Sequence, residues 1–345
     1  MSKGIAIINQ SIILSIIIVN YNVKEYILNC IQSIQDKVDV NRCPYEVIVS
    51  DNGSVDGSVE AIRERFPWVK VIENNANLGF GKANNIGAEQ AEGKVLFYLN
   101  PDTLIKGGIE DMVYFVLEHS EIGVAAPVLY NSNNTINFQA GYYMSIAIQI
   151  ITVLTPLPIL TMIAAYKKHM AQKCFINKTP FIIELVTGCA MMFRKDVFNK
   201  IGGFDNNIFM YDEEIDLHLM LKQSHYKSAI YNTASIIHFE EKSASKYISN
   251  TEKVYMCAKS LKYILKKHFH LTWRVRYLLQ TTRYARHIIT SFIKVITLFI
   301  MRKDYKKHVE IIKHTIADFK VYYSVLINKP NTTKKTHSRF KLKKD

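Results

Sequence analysis

Over the first 130 residues, short apolar, β-rich runs alternate with stretches of helical periodicity. No other feature of the chain constrains its fold as much. Leu14–Val19 is followed by an amphipathic stretch from Lys24 to Gln35, and Glu46–Ser50 leads into Asp56–Arg65. Val69–Ile72 precedes a helix-like Gly81–Gln90, and Lys94–Leu99 ends at Asn100-Pro101-Asp102. Strands that read as near-continuous apolar runs between helices predict a parallel sheet covered on both faces. In such sheets ligands bind beyond the carboxyl ends of the strands. Polar clusters stand at those ends: Asn20-Tyr21-Asn22, Asp51-Asn52-Gly53-Ser54, Asn74-Asn75-Ala76-Asn77 and Asn100-Pro101-Asp102-Thr103. One such cluster is ordinary loop chemistry; four in register predict a shared cleft.

The 345 residues leave room for one large domain or two modest ones, and a hydrophobic content of 48% excludes general disorder. The net charge of +14 is unevenly placed: residues 1–245 sum to −5 and residues 246–345 to +19. We therefore expect a mildly acidic catalytic domain over 1–245, a basic amphipathic helical region over 246–333 and a disordered basic tail over 334–345. Five scattered cysteines with no CxxC pair suit a reducing compartment. The run Ile12–Val19 is too short to cross a bilayer and lacks a small-residue cleavage site, so it reads as a buried strand.

Two further segments bear on partners. The apolar run from Tyr142 to Tyr166 is broken by Pro156 and Pro158, and reads as a helix pair that is buried or interfacial rather than a span. After Lys246, Lys, Arg and Tyr alternate with apolar residues at helical spacing, as in Tyr263, Lys266, Trp273, Arg276, Tyr277 and Arg283. Such helices suit an anionic membrane surface. The apolar content is too high for a phosphate-tracking tail, so no nucleic-acid partner is expected.

Single residues suggest chemistry. Asp102, closing a strand, can hold Mg²⁺ or Mn²⁺ against the phosphates of a nucleotide. Asp51 can accept a hydrogen bond from a base or ribose. His238, ending the strand-like Ser235–His238, is a candidate metal ligand through neutral imidazole. Asp212, Glu213, Glu214 and Asp216 crowd the start of a helix after Gly202-Gly203-Phe204-Asp205; carboxylates there suit the positive helix end and can supply a general base. Gly79-Phe80-Gly81 is a fragment of a dinucleotide fingerprint, but Asn84 stands where the third glycine belongs, which excludes an NAD site.

The ordered set of motifs resembles a family 2 glycosyltransferase of the rhamnosyltransferase-like branch. It comprises Ile17–Asn22, Val49–Ser58, Asn77–Asn85, Leu99–Thr103, Thr187–Ala190, Gly202–Asp205, Tyr211–Leu217, and His238 with Ser243. The resemblance covers about residues 14–245. It implies a GT-A type, Rossmann-like, mostly parallel sheet with flanking helices, to which the basic helical region is appended. It also implies a nucleotide-sugar donor (dTDP- or UDP-sugar), a divalent metal and inversion at the anomeric carbon. Carried over, Asp51 binds the nucleobase, with Asn22, Gly79 and Asn84 lining the nucleotide pocket. Asp102 and His238 serve the metal or diphosphate. The family pattern Tyr-x-Glu-Asp-x-Asp-Leu puts the base at Glu214, one methylene longer than the usual Asp, with Glu213 and Asp216 in reserve. The implied acceptor is a glycan or lipid-linked hydroxyl in surface polysaccharide assembly; from the charge asymmetry we expect the enzyme to be cytoplasmic and peripherally associated with the inner face of the plasma membrane. Two other classes compete: a catalytically silent sugar-nucleotide-binding scaffold, and a nucleotidyltransferase. The latter usually carries a Gly-rich basic loop after the first strand, where this chain has Asn20-Tyr21-Asn22.

Overall fold

A computed structural model describes residues 11–137, 140–141, 155, 159, 162–163, 180–239, 249–300 and 306–328. The 334–345 tail and almost all of the 142–166 run lie outside the described residues. The chain divides into two compact units, one of residues 1–142, 170–209 and 213–246, the other of 143–169, 210–212 and 247–345.

The first unit is built on a nine-stranded sheet. Its strands are β1 (Leu14–Asn20), β2 (Tyr45–Asp51), β3 (Lys70–Glu73), β4 (Val95–Leu99), β5 (Thr103–Gly107), β6 (Ile122–Tyr130), β8 (Phe181–Ile183), β10 (Ala190–Arg194) and β11 (Lys227–His238); β7 (Ala140–Gly141) and β9 (Leu185–Val186) form a separate ribbon. The order is β3-β2-β1-β4-β10-β6-β11-β5, with β8 also on β11. Strands β1 to β4, β6 and β11 run one way; β5, β8 and β10 run against them. The sheet is thus mostly parallel, as the apolar runs predict. Its antiparallel members were not foreseen, because the Ala190–Phe193 run has the same apolar texture as its parallel neighbours.

Helices α1 (Lys24–Lys37), α2 (Ser58–Arg65), α3 (Phe80–Glu89), α4 (Ile109–Glu118), α5 (Lys195–Ile201) and α6 (Glu213–Gln223) accompany the sheet. Apolar side chains divide into two buried sets, one around Ile16, Ile31, Val47 and Phe97, the other around Ile17, Tyr98, Phe193 and Phe204. Alternate residues of β1 enter different sets because successive strand side chains point to opposite faces. Asp56 shows how the loops are pinned: one carboxylate oxygen accepts from Lys24 N (2.9 Å) and the other from Ser58 N (3.1 Å). A single anion therefore serves the starts of both α1 and α2, where backbone N–H groups otherwise lack partners.

The second unit contains α7 (Asn250–His268), α8 (Trp273–Ile300) and α9 (Lys306–Leu326). A reciprocal pair starts α7: Glu252 N donates to Ser249 Oγ and Ser249 N to the Glu252 carboxylate. Ala258, Leu265, Tyr277, Tyr322 and Val325 form its core, and the Tyr277 hydroxyl donates to Tyr322 O at 3.0 Å. Among the described residues no helix is long and apolar enough to cross a membrane.

Candidate functional site

The strand order brings the carboxyl ends of β3, β2, β1 and β4 side by side, and their polar clusters meet there. Asn20 Nδ2 contacts Asp51 Oδ1 (2.7 Å), Ser58 Oγ (2.7 Å) and Ser54 Oγ (3.0 Å). Asp51 Oδ2 accepts from Gly53 N and Ser54 N. Asn22, in a left-handed conformation (φ 55°), accepts from Val55 N at 2.7 Å. Asn52 receives Asn74 Nδ2 and donates to Gly79 O at 3.1 Å, which joins the α3 approach to the end of β2. The Asp51 carboxylate, 2% exposed, is thus already engaged in shaping its own turn.

Gly79 has φ +85°, and a Cβ there would meet the Phe209 carbonyl oxygen, which accepts from Phe80 N at 2.9 Å. Packing alone explains this glycine. Asn84 is buried on α3, where its amide donates to Phe80 O. Its neighbour Asn85, which sequence reasoning did not single out, clamps the Gly203-Phe204 turn: Nδ2 donates to Phe204 O (2.8 Å) and Oδ1 accepts from Phe204 N (3.0 Å).

The second half of the site forms around residues 187–189. Antiparallel pairing of β10 with β4 sets Cys189 O to accept from Asn100 N at 2.9 Å. Beyond Asn100 lies Asp102, 2% exposed, whose backbone carbonyl accepts from Phe239 N. His238 Nε2 stands 3.4 Å from Asp102 Oδ1, an oxygen that makes no hydrogen bond. Burial alone would depress the His238 pKa, but Asp102 and Cys189 reverse this and raise it to about 10. Among the described residues no three His, Cys, Asp or Glu side chains gather to hold a metal by themselves. Two ligands plus substrate phosphates are a normal set for Mg²⁺, and the unbonded Asp102 oxygen fits that role.

On the other side of the same segment, a Cβ placed on Gly188 would lie 3.6 Å from Glu214 Oε2, so the Glu214 carboxylate rests against this glycine. Glu213, Glu214 and Asp216 all fall in the first turn of α6, with Glu213 and Asp216 buried. Burial raises the Glu214 pKa above its ordinary value. Residues 188 and 189 therefore carry the acidic helix on one side and the Asn100–Asp102 turn on the other.

Sequence reasoning missed His218, 1% exposed. Its Nδ1 lies 2.6 Å from Glu214 O, and its Nε2 accepts from Val186 N at 3.2 Å. An N–H facing Nε2 requires that nitrogen to be bare, so the proton sits on Nδ1 and the ring is neutral. Burial depresses its pKa to about 4. The only hint in the sequence is a histidine four residues after Glu214, on the same helix face.

The family model for "Glycosyl transferase family 2" matches residues 15–202, more than half of the chain. The chain belongs to glycosyl transferase family 2. Its relatives agree with the rhamnosyltransferase-like motifs. It is 25% identical over 218 residues to an N-acetylglucosaminyl-diphospho-decaprenol L-rhamnosyltransferase of Mycobacterium tuberculosis, covering 59% of this chain and 69% of that one. It is 23% identical over 229 residues to the rhamnosyltransferase WbbL of Escherichia coli, covering 63% and 81%. Among solved structures it resembles the mannosyltransferase PcManGT of Pyrobaculum calidifontis, in complex with GDP-Man and Mn²⁺. That likeness has a TM-score of 0.54 at 13% identity and covers 93% of this chain and 89% of that one. It shows the fold, and the sheet of this family 2 member is of the GT-A type.

Proposed function

We propose that this family 2 glycosyltransferase is an inverting enzyme that moves rhamnose or a hexose from a dTDP- or UDP-sugar to a hydroxyl of a glycan or lipid-linked acceptor in surface polysaccharide assembly. The observation that carries the reading is the 188–189 segment, which holds the half-buried Glu214 carboxylate on one side and the Asp102–His238 pair on the other. An acid and a base with separated environments are what displacement of a nucleoside diphosphate requires.

In this reading Glu214 accepts the proton of the acceptor hydroxyl while that oxygen attacks the anomeric carbon from the face opposite the diphosphate. The bond between that carbon and the diphosphate oxygen breaks, and the nucleoside diphosphate leaves with the electron pair. A Glu214 pKa raised by burial makes its carboxylate a stronger proton acceptor. Asp102 and His238 would hold a divalent cation, Mg²⁺ or Mn²⁺, which would supply charge neutralisation on the departing diphosphate. Asn22, Asp51, Gly79 and Asn84 shape the nucleotide side; Glu213 and Asp216 fix the first turn of α6. The basic C-terminal region places the enzyme peripherally on the cytoplasmic face of the membrane.

The test is nucleoside diphosphate release from a panel of dTDP- and UDP-sugars, with Mg²⁺ or Mn²⁺ and a membrane-lipid extract as acceptor. Metal-dependent release from one donor, lost in Glu214→Gln, is expected. Nucleotide binding without release from any donor would instead mark a silent sugar-nucleotide binder, the reading favoured by Glu214 standing in place of Asp.

A further inference from the structure

In the Gly79–Asn85 stretch that opens α3, four residues meet another part of the chain, the segment 203–209. Phe80 N, an amide that a first helical turn leaves without a partner, donates to Phe209 O at 2.9 Å, and Gly79 leaves room for that same carbonyl. A Cβ on Gly81 would stand 3.0 Å from the Phe204 Cβ, and the Phe80 and Phe204 rings meet edge to face with centroids 5.9 Å apart. Asn85 lies four residues after Gly81, on the same helix face. Its amide donates to Phe204 O (2.8 Å) and accepts from Phe204 N (3.0 Å), as a neighbouring strand would, and its Nδ2 also reaches Asn206 Oδ1 at 3.1 Å. Gly203 makes the approach possible, since a Cβ there would stand 2.9 Å from Asn85 Oδ1. Both Nδ2 hydrogens are thus engaged and Oδ1 has one acceptor site left, so little of this amide remains for a ligand.

The segment that Asn85 holds leads to Glu214. Ile208 is buried and its N–H donates to Asp205 O at 3.0 Å, so a tight turn carries any shift of Phe204 through to Phe209. Residues 210–212 then join Phe209 to α6. Two of them, Tyr211 (φ 69°) and Asp212 (φ 67°), are left-handed, immediately before Glu213 and Glu214. Residues of these types persist in that conformation only where the structure around them holds it in place. On the α6 side the backbone is fixed by His218, whose Nδ1 lies 2.6 Å from Glu214 O. On the other side α3 fixes it, at Phe204 and Phe209. Releasing the hold of α3 lets the left-handed pair relax, and the first turn of α6 moves with it. A shift of about 1 Å at a reacting group can cost about a hundredfold in rate. We propose that Asn85 is a positioning residue for Glu214, acting on the base through the 203–209 segment rather than on the nucleotide. This rests on the reading of Glu214 as the base.

The test compares the full wild-type chain with Asn85→Ala and Asn85→Asp. The aspartate keeps the volume and the acceptor for Phe204 N but sets an oxygen against Phe204 O and Asn206 Oδ1, so it decides the matter if the alanine variant misfolds. Three quantities are read: affinity for UDP and dTDP by calorimetry, kcat and KM for diphosphate release, and amide hydrogen exchange. In both variants exchange is expected to quicken at least about tenfold over 204–209 and over 213–219 alike. The kcat should fall at least about tenfold, with donor KM and nucleotide affinity within about twofold of wild type. Weaker nucleotide affinity at unchanged kcat would make Asn85 a pocket residue and overturn the inference. So would an unchanged kcat in both variants, or exchange that quickens over 204–209 and stops short of 213–219, the mark of a local clamp. Exchange needs no turnover, so the two readings fail separately. A wild type that releases no diphosphate, or a Glu214→Gln variant that still does, sinks the catalytic reading; whether the change reaches 213–219 then decides the positioning role by itself.

Discussion

His218 provides a test of the site that needs no knowledge of donor or acceptor. Its neutral ring joins β9 to α6 through Val186 N and Glu214 O. A proton added to Nε2 would face the Val186 N–H and break that bond. The folded pKa of about 4 lies below the ordinary 6.5, so the unfolded chain takes up the proton first as pH falls. Stability from this residue is therefore complete above pH 6.5 and is lost as pH falls towards 4. The shift corresponds to about 3 kcal/mol in full, of which about 2 kcal/mol is gone by about pH 5. Of the two tryptophans, Trp68 packs on Tyr45 and Phe66 in the sheet unit. In a Trp273→Phe background it reports urea unfolding of that unit alone. Wild type should lose about 2 kcal/mol more than His218→Gln between neutral pH and about pH 5. Parallel losses in the two proteins would refute a neutral His218 clamp.

Three other perturbations follow from the same geometry. Burial raises the Glu214 pKa, so ionising it opposes folding as pH climbs past its unfolded value; Glu214→Gln should match or exceed wild-type stability in neutral urea titrations while losing diphosphate release, and a destabilised variant would contradict this. Gly79→Ala places a Cβ against Phe209 O at φ +85° and should cost at least about 2 kcal/mol by urea unfolding; no loss would mean that the clamp is not rigid. Asp102→Asn removes a buried charge whose Oδ1 makes no hydrogen bond, so the fold should hold while metal-dependent diphosphate release falls at least about a hundredfold; retained release would remove Asp102 from the cation site.

The parts of the fold legible in the sequence are those where one physical demand acts alone. Strands β1 and β4 are buried along their whole length and β2 along most of it, so their apolar runs announce them, and the polar ends had nowhere to go but one edge. Strand β11 shows the opposite case. Only Ser235–His238 was readable, because Tyr231, Asn232 and Thr233 interrupt the apolar pattern at a register shift, and the strand in fact begins at Lys227. Strand direction escaped for another reason: an antiparallel β10 between parallel β4 and β6 needs the same residues as a parallel one.

The candidate site divides along similar lines. Asp102 stands out in the sequence in the turn after β4 and His238 at the end of β11, and the antiparallel β11–β5 pairing brings the two together, with His238 opposite Thr103. Glu214 is visible as part of an acidic helix start, yet what holds it is not. Its position depends on a glycine that lies on the far side of β10 in sequence and on a histidine whose role rests on two backbone groups, Val186 N and Glu214 O. Backbone groups carry no residue signature, so a clamp made to them is silent in any sequence. A carboxylate one methylene longer than the family's usual Asp needs its helix placed accurately to present the same oxygen. In this chain that placement falls to His218, which fixes the backbone of Glu214, and to Gly188, which leaves its carboxylate uncovered by a side chain.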